Sequence, residues 1–388
     1  MPSSPDDRTR RLMTDLVAKA RDLLGRHPVI DGHNDLPWTI RQEPDAPGDI
    51  GAYDLHGSTG GHTDLGRLRA GGVGGQFWSV FVPADGRGGY ARIQLEQLDL
   101  ARRMIGHYSD DFGLCRTADE VEAAIASGRI ASLLGMEGGH VIEGSLGALR
   151  AFHALGAAYM TLTHNRTTDW ADAGTDEPRH GGLTPFGREV VREMNRLGML
   201  VDLSHVADTT MADALDVSEA PVIFSHSSAR ALCDVPRNVP DEILARLPAN
   251  GGVCMVTFVA AFISQAVADA VAPVHTEYER RIADVDDLHV LRQIQHELLD
   301  GLELPLPTIA DVADHIEHVV AVAGIEHVGI GGDFDGNLFW PIGLEDVSAY
   351  PQLFAELIRR GWADDALAKL SGGNVLRVMR GAEAIAAG

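Results

Sequence analysis

The chain has 388 residues, with 56 acidic side chains against 32 lysines and arginines and a formal net charge of −24. This length allows one large α/β barrel or two to three ordinary domains, and it buries enough surface to fold without a disulfide or metal staple. The acidity opposes binding to polyphosphate backbones and anionic membranes, so we expect neither a nucleic acid nor a membrane surface as a partner.

Eight short apolar runs, rich in Val, Ile, Leu and Phe, alternate with longer segments of helical pattern. In chain order the runs cover 27–35, 76–83, 129–137, 157–164, 198–205, 221–226, 251–258 and 327–333. Short buried strands that alternate with helices are typical of βα units and a parallel sheet, and eight such units are typical of a TIM barrel. We therefore predict an α/β fold, an amidohydrolase-like (β/α)8 barrel.

Helix signals separate these runs. Pro185 follows a threonine cap, Asp208 precedes an amphipathic segment, and Pro240 precedes two acidic residues. Each combination is typical of a helix N-terminus. The longest gap, at about 266–307, predicts an extra helical excursion over the barrel mouth. No repeat, low-complexity tract or Pro-rich linker divides the chain, so we expect a single domain over residues 1–388.

Six of the eight runs end in an ionisable residue, which the packing of an apolar strand does not require. These residues are Asp35, Glu137, His164, His205, His226 and Asp333. The carboxyl ends of parallel barrel strands meet on one face, which is where such barrels carry their active sites. A lone histidine after a strand is most often structural, but six ionisable ends together predict a catalytic mouth.

The same strand ends divide into two metal sites. His33 and Asp35 project to one side of the first strand, because side chains alternate along a strand. Glu137 is a carboxylate able to bridge two ions. His205 and His226 supply imidazoles, which suit a borderline-soft ion such as zinc. We predict a binuclear metal site at the mouth, with Glu137 shared between the His33–Asp35 pair and the His205–His226 pair.

Lysine is nearly absent from the chain. Lys19 and Lys369 are its only lysines. Many binuclear barrel hydrolases bridge their metals with a carboxylated lysine at a strand end, but Lys19 precedes the first strand and Lys369 follows the last. The bridge must therefore be a true carboxylate, for which Glu137 is the candidate. We expect the neighbouring His140 and Asp202 to orient ligands rather than to bind metal.

Six motifs follow one another in a fixed order along the chain. They are VIDGHNDLPW at 29–38, GMEGGH at 135–140, TLTHN at 161–165, VDLSH at 201–205, FSHSSARALCDVPRNVPD at 224–241 and GGDFDG at 331–336. This ordered set resembles the membrane (renal) dipeptidase family, peptidase family M19. The resemblance extends from Val29 to about Val378. The bias for arginine over lysine and the abundance of Ala and Gly favour a bacterial member, and we expect it to be soluble because we see no signal or anchor segment.

The resemblance implies a zinc-dependent dipeptidase with two Zn²⁺ per chain, bridged by Glu137 and by a hydroxide that attacks the peptide carbonyl. It implies that His164 stabilises the oxyanion and that Arg237 binds the C-terminal carboxylate of the substrate. Asp333 would transfer protons and contact the substrate amine, with Asp335 as the alternative for that role. The implied substrates are small dipeptides, L-Xaa-L-Xaa and L-Xaa-D-Xaa, and a homodimer is the habit of the family.

Two alternative functions stay open. Another amidohydrolase-superfamily activity, such as that of a lactonase or deaminase acting on a carboxylate-bearing small molecule, would use the same metals. Arg237 discriminates here, because such substrates need not present a terminal carboxylate. A catalytically silent metal-binding or sugar-binding barrel would have no need of His164, Arg237 and Asp333.

Cysteine usage and the chain ends bear on location. Cys115, Cys233 and Cys254 lie far apart and form no CxxC pair, which favours a reducing compartment. The N-terminal segment has no continuous apolar stretch, and the C-terminal segment has no lipid-anchor tail. We therefore expect a cytoplasmic protein without a membrane anchor.

Overall fold

Strands and helices alternate in the computed structural model, which describes residues 5–84, 88–282, 285 and 288–387. The strands are β1 Val29–Asn34, β2 Val73–Ser79, β3 Phe112–Leu114, β4 Ile130–Glu137, β5 Ala157–Thr161, β6 Leu200–Asp202, β7 Ile223–Ser227, β8 Val253–Val256 and β9 Val328–Ile330. The α-helices are α1 Pro5–Arg26, α2 Leu36–Arg41, α3 Leu65–Ala70, α4 Tyr90–His107, α5 Ala118–Ala126, α6 Leu146–Ala154, α7 Pro185–Leu197, α8 Asp208–Val217, α9 Asp241–Leu244, α10 Leu247–Asn250, α11 Ala260–Ile263, α12 Gln265–Ile282, α13 Leu288–Leu299, α14 Ile309–Ala323, α15 Tyr350–Arg359, α16 Asp364–Ala368 and α17 Asn374–Ala387.

Eight of the described strands form a closed parallel barrel. Their order is β2-β1-β9-β8-β7-β6-β5-β4, and β4 pairs with β2 to complete the ring. The extra strand β3 pairs with the first half of β4, whereas β5 pairs with its second half. The predicted (β/α)8 barrel is confirmed. The sequence pattern does not predict β3, because three residues are too few to show a periodicity.

Each predicted run overlaps one barrel strand, although β2 begins before its run and β7 ends one residue beyond its run. Several strands stop before the ionisable residue. β5, β6 and β9 each end three residues before His164, His205 and Asp333, respectively. His205 and Asp333 have left-handed backbones, with φ of 69° and 64°. These side chains therefore project from short loops just beyond the carboxyl ends of the strands, where the chain turns over the barrel mouth.

The helices begin where the sequence predicts. The Thr184 hydroxyl accepts a hydrogen bond from the backbone N–H of Gly187, and Pro185 takes the first helical position of α7. Gly198, with φ of 72°, ends the same helix. Such a cap satisfies a backbone N–H that has no partner inside the helix. The starts of α8 at Asp208 and of α9 at Asp241 also agree with the sequence.

Two glycines allow the close packing that positions the mouth. A Cβ on Gly135 of β4 would lie 2.1 Å from Cζ of Tyr159, so the glycine leaves the room that this ring fills inside the barrel. A Cβ on Gly331 would lie 1.8 Å from the carbonyl oxygen of Ser225. The segment after β9 can therefore lie directly against β7, which brings the two strand ends together.

The predicted excursion at about 266–307 contains α12 and α13, which pack against each other, and α12 also packs against α11. Residues 283, 284, 286 and 287 of that stretch lie outside the described residues. Among the described residues, no helix is both long and apolar enough to cross a membrane. The single domain, the homodimer and the cytoplasmic location stay predictions.

Candidate metal centre and active site

Five buried ionisable side chains meet at the carboxyl end of the barrel. We call them the mouth cluster: His33 of β1, Asp35, Glu137 at the end of β4, His205, and His226 of β7. None of them is more than 6 % exposed. Buried charges in proteins are normally paired or bound to a metal ion. Two buried carboxylates and three buried imidazoles in one cluster therefore call for such a partner.

Glu137 divides the mouth cluster into two halves. Its Oε2 atom lies 3.5 Å from Nε2 of His33, and Asp35 Oδ2 lies 3.2 Å from the same nitrogen. Its Oε1 atom lies 3.0 Å from Nε2 of His205 and 3.5 Å from Nε2 of His226. One oxygen of this carboxylate therefore faces His33, which contacts Asp35, and the other faces His205 and His226.

The hydrogen bonds behind His205 and His226 fix their tautomers. Nδ1 of His205 lies 3.0 Å from Oδ1 of Asn165, an acceptor, so this nitrogen carries the proton. The Ser225 hydroxyl donates to Asp202 Oδ2 at 2.6 Å, so it accepts from Nδ1–H of His226 at 2.7 Å. Both Nε2 atoms are left with lone pairs, although they lie only 3.0 Å apart.

His33 has the same arrangement with a different partner. Its Nδ1 atom lies 2.8 Å from the Tyr159 hydroxyl, which is 3.3 Å from the carbonyl oxygen of Gly32. The hydroxyl donates to that carbonyl and accepts from Nδ1–H. Nε2 of His33 is fully buried and makes no hydrogen bond to any of the described residues. Three imidazoles therefore direct their Nε2 atoms into one small volume lined by carboxylates.

These donors fit divalent metal ions. Two ligand atoms on one tetrahedral ion, each at about 2.1 Å, lie about 3.4 Å apart. The separations of 3.0 to 3.5 Å around Glu137 are of this size. Lone pairs and carboxylate oxygens at such distances repel one another unless a cation lies among them. The mouth cluster therefore has the donors and the spacing of a metal centre.

Electrostatics at the mouth cluster favour a cation between these groups. Burial raises the pKa of Glu137, but the positive charge that His33 carries when doubly protonated outweighs it and holds that pKa well below its usual range. Burial lowers the pKa of His33, but the neighbouring carboxylates of Glu137 and Asp35 raise it well above normal. Burial also lowers the pKa of His205 and His226. The negative charge of Glu137 and Asp35 thus attracts a cation to the half of the mouth cluster that contains His33.

His164 lies at the open side of the mouth cluster. Its Nε2 atom is 3.7 Å from Glu137 Oε1, and its side chain is 17 % exposed. The edge of the Phe81 ring packs against it, with 4.8 Å between the ring centroids. Burial lowers the pKa of His164 to about 4, so the imidazole is neutral near pH 7 and carries one N–H donor.

Arg237 is a buried cation that forms no ion pair with any residue that the structure describes. The guanidinium donates to the carbonyl oxygen of His226 at 3.3 Å and to the Ser227 hydroxyl at 3.5 Å, and it lies 5.1 Å from the centre of the Phe262 ring. Burial lowers the pKa of Arg237 to about 10, which leaves it charged at neutral pH. No carboxylate of the described residues forms a salt bridge with it. A buried charge in this state suits a bound anion.

Asp333 and Asp335 point to different places. Ligand atoms of Asp333, His33 and Asp35 all lie within 4.8 Å of one another. Burial raises the pKa of Asp333 well above its usual range, and Asp35 adds to the effect. Asp335 instead accepts a hydrogen bond from the backbone N–H of His62 at 2.7 Å. The structure therefore brings Asp333 to the mouth cluster and directs Asp335 away from it.

Other polar residues differ in how they relate to the mouth cluster. Asp202 supports His226 through Ser225, as the sequence predicts for an orienting residue. His140 lies elsewhere, with Nε2 3.0 Å from the carbonyl oxygen of Val82. Sequence reasoning missed Tyr159, Asn165 and Ser225. The last two are adjacent in sequence to predicted histidines, which is a usable signal, but Tyr159 lies inside a strand and gives none.

Comparison with known proteins identifies the family. The family model described as Membrane dipeptidase (Peptidase family M19) matches residues 17–388. The chain belongs to this family. The resemblance seen in the motifs is thereby confirmed, and this membrane dipeptidase family member is an enzyme, a metallohydrolase of the dipeptidase type.

Individual relatives of this family member agree. Dipeptidase verJ from Clonostachys rogersoniana is 41% identical over 386 residues, which cover 96% of this chain and 89% of that protein. Dipeptidase 3 from Rattus norvegicus is 41% identical over 381 residues, which cover 97% of this chain and 68% of that protein. A solved metallo peptidase from Rhodobacter sphaeroides, liganded with a phosphinate mimic of the dipeptide L-Ala-D-Ala, has a TM-score of 0.74 and 26% identity and covers 91% of this chain and 99% of its own.

Proposed function

We propose that this membrane dipeptidase family member is a two-zinc enzyme that hydrolyses free dipeptides of the L-Xaa-L-Xaa and L-Xaa-D-Xaa kinds. The observation that carries the proposal is the buried Arg237 guanidinium, which lacks a carboxylate partner among the described residues and contacts the backbone of His226. The terminal carboxylate of a dipeptide would complete this ion pair. The phosphinate mimic bound to the Rhodobacter sphaeroides relative supports a D-residue at the C-terminal position.

Each half of the mouth cluster would hold one ion. His33 and Asp35 would bind the first, His205 and His226 the second, and Glu137 both. Three imidazoles combined with carboxylates suit zinc better than calcium or magnesium. When bound, the ions would polarise the scissile carbonyl and supply an activated water molecule as the nucleophile.

His164 would stabilise the negative charge that develops on the carbonyl oxygen. Its imidazole is neutral, stands at the open side of the mouth cluster and has one N–H to donate. A preorganised donor aimed at a developing oxyanion is typically worth about 3 kcal/mol of transition-state stabilisation. A neutral imidazole also avoids repulsion with the nearby metal ions.

Asp333 would carry the proton between the two halves of the reaction. As the water oxygen bonds to the carbonyl carbon, the Asp333 carboxylate would accept the water proton. When the C–N bond breaks, the same group would return that proton to the leaving nitrogen. Its position beside His33 and Asp35 supports this role, because a carboxylate there would be within reach of both events.

Arg237 would set the length of the substrate. A guanidinium binds a carboxylate through two parallel hydrogen bonds, and this geometry fixes the C-terminus relative to the mouth cluster. A carboxylate one residue beyond the scissile bond leaves no room for further chain. The enzyme would therefore act on dipeptides and not on longer peptides.

Substrate analogues test this proposal. With zinc-loaded protein, we expect cleavage of L-Ala-L-Ala and L-Ala-D-Ala, and at least about a hundredfold lower kcat/KM for the C-terminal amide and for a tripeptide. Arg237→Met should lower kcat/KM for both dipeptides but leave the slow amide reaction unchanged, because the amide lacks the charge that Arg237 binds. Arg237→Lys keeps the charge but cannot form the two parallel hydrogen bonds. Its kcat/KM for the dipeptides should lie between those of wild type and Arg237→Met.

Two results would contradict the proposal. Equal rates on the dipeptide and its amide would remove the role of Arg237 and favour another amidohydrolase-superfamily reaction, to be assayed with lactones and with deaminase substrates. Metal analysis that finds one ion or none in the active protein would contradict the two-zinc centre.

A further inference from the structure

The two carboxylate oxygens of Asp333 have different surroundings. Oδ2 accepts a hydrogen bond of 2.8 Å from Nδ2–H of Asn337. Oδ1 faces the mouth cluster: a Cβ on Gly336 would lie 2.4 Å from this oxygen and 2.3 Å from Oδ2 of Asp35. One oxygen is thus held by an amide, and the other lies on the same side of the loop as a candidate metal ligand.

The backbone alone does not fix this orientation. The N–H of Asp333 donates to the carbonyl oxygen of His33 at 3.1 Å, which holds the main chain in its left-handed conformation. The last torsion of an aspartate side chain is broad and roughly twofold, so the main chain leaves the carboxylate free to turn. Within the described part of the chain, Asn337 is the one residue that donates a hydrogen bond to this carboxylate.

We infer that Asn337 is a positioning residue for Asp333: its amide holds Oδ2, so that Oδ1 faces the mouth cluster and the reacting atoms. This inference rests on the proposed function, because Asp333 carries a proton only if the chain cleaves a peptide bond there. Asn337 acts through Asp333 and not on the substrate. Its loss should therefore lower kcat much more than it changes KM.

The main variants are Asn337→Leu, which keeps the size of the side chain without the donor, and Asn337→Asp, which places a second carboxylate against Asp333. For Asn337→Leu we expect kcat on L-Ala-D-Ala to fall about tenfold or more, with KM within about threefold and an unchanged metal content. The kcat of Asn337→Asp should fall further, because repulsion between like charges would turn the Asp333 carboxylate away from residue 337. Leu338→Ala is the control in the same loop, since Leu338 is 52 % exposed, and it should keep the wild-type rate.

A double variant separates positioning from a general effect on the loop. In an Asp333→Asn background, Asn337→Leu should cause no further loss of kcat, because the group that it positions is already gone. An additional tenfold loss there would overturn the inference, and so would an Asn337→Leu enzyme with a kcat within twofold of wild type or with less bound metal. Thermal melting of both Asn337 variants shows whether each is folded. If only one of them folds, its kcat alone is compared with that of wild type. Wild-type protein that cleaves no dipeptide would overturn the proposed function, and this inference with it.

Discussion

The two halves of the mouth cluster share Glu137 but differ in their donors. The half around His205 and His226 offers two imidazole nitrogens, whereas the half around His33 and Asp35 offers one nitrogen and a carboxylate. Nitrogen-rich sites favour zinc, and sites with more carboxylate tolerate ions such as Mn²⁺. We therefore expect the mouth cluster to form two sites of unequal selectivity, which would share Glu137 as a bridging side chain.

The residues behind the candidate ligands differ as well. The Nδ1–H of His226 bonds to Ser225, whose hydroxyl bonds to the carboxylate of Asp202. The Nδ1–H of His33 bonds to the hydroxyl of Tyr159, whose pKa is raised by burial above its usual value, so that the phenol is neutral. A carboxylate behind a ligand histidine makes the imidazole a stronger donor. We therefore expect the two-histidine half to bind its ion more tightly.

The largest effect should come from the residue that both halves share. Glu137→Gln keeps the shape of the side chain but removes its negative charge, so both sites lose their common ligand. We expect the metal content to fall from about two ions per chain to less than one and kcat/KM to fall about a thousandfold or more. Metal analysis after dialysis, together with the dipeptide assay, checks both numbers. A variant that retains two ions would show that Glu137 does not bridge the halves.

Matched single-ligand variants should separate the two halves. Asp35→Asn removes a ligand from one half and His226→Gln from the other, so each protein should keep about one ion and lose about a hundredfold in kcat/KM. In equimolar zinc and manganese, the site left in Asp35→Asn should hold zinc. The site left in His226→Gln, with more carboxylate, should take up more manganese. Identical metal contents in the two variants would contradict the unequal halves.

A smaller effect should follow when the support behind one ligand is removed. Ser225→Ala deletes the hydroxyl that links His226 to the carboxylate of Asp202. Tyr159→Phe deletes the hydroxyl behind His33, which links to no carboxylate among the described residues. Such support is typically worth about 10- to 100-fold in metal affinity. We expect Ser225→Ala to lose affinity near the upper end of that range and Tyr159→Phe near the lower end. Competition with a chromophoric chelator measures both, and a larger loss in Tyr159→Phe would reverse the proposed order.

Much of the mouth cluster could be predicted from the sequence, for a physical reason. The carboxyl ends of parallel barrel strands share one face, so ionisable residues that end apolar runs, such as Glu137 and His226, must converge. Alternation along an extended segment also predicts that His33 and Asp35 share a side, and the two side chains do meet, although β1 itself ends at Asn34. These arguments need only local sequence and the closure of the sheet.

The supporting residues could not be predicted in this way, because they depend on close approach between distant segments. Tyr159 reaches His33 across the barrel only because Gly135 leaves room for its ring. The choice between Asp333 and Asp335 depends on two left-handed backbones, each with φ of 64°, in one short loop. No periodicity in the sequence reports such geometry, which is also why Asn337 emerges only from the structure.

The smallest predicted effect concerns a histidine outside both halves. His315 of α14 is 1 % exposed, and the backbone occupies both ring nitrogens: Nδ1 accepts from the N–H of Ala229 at 3.1 Å, and Nε2–H donates to the carbonyl oxygen of Ile263 at 3.0 Å. With no free nitrogen, it has none of the ligand character of the mouth histidines. His315→Gln should therefore leave the metal content unchanged, and a loss of metal would weaken the distinction between ligand and structural histidines.

The same residue should make the fold sensitive to acid. Burial lowers the pKa of His315 to about 4, whereas an unfolded histidine titrates near about 6.5. The unfolded chain therefore binds a proton first as the pH falls, so the stabilisation is complete above pH of about 6.5 and is lost between there and about 4. From pH 7.5 to pH 5, wild type should lose about 2 kcal/mol more of its unfolding free energy than His315→Gln, because titration of the other groups cancels in the comparison. Urea unfolding of the two proteins at both pH values measures this difference, and parallel losses would show that His315 is not held neutral.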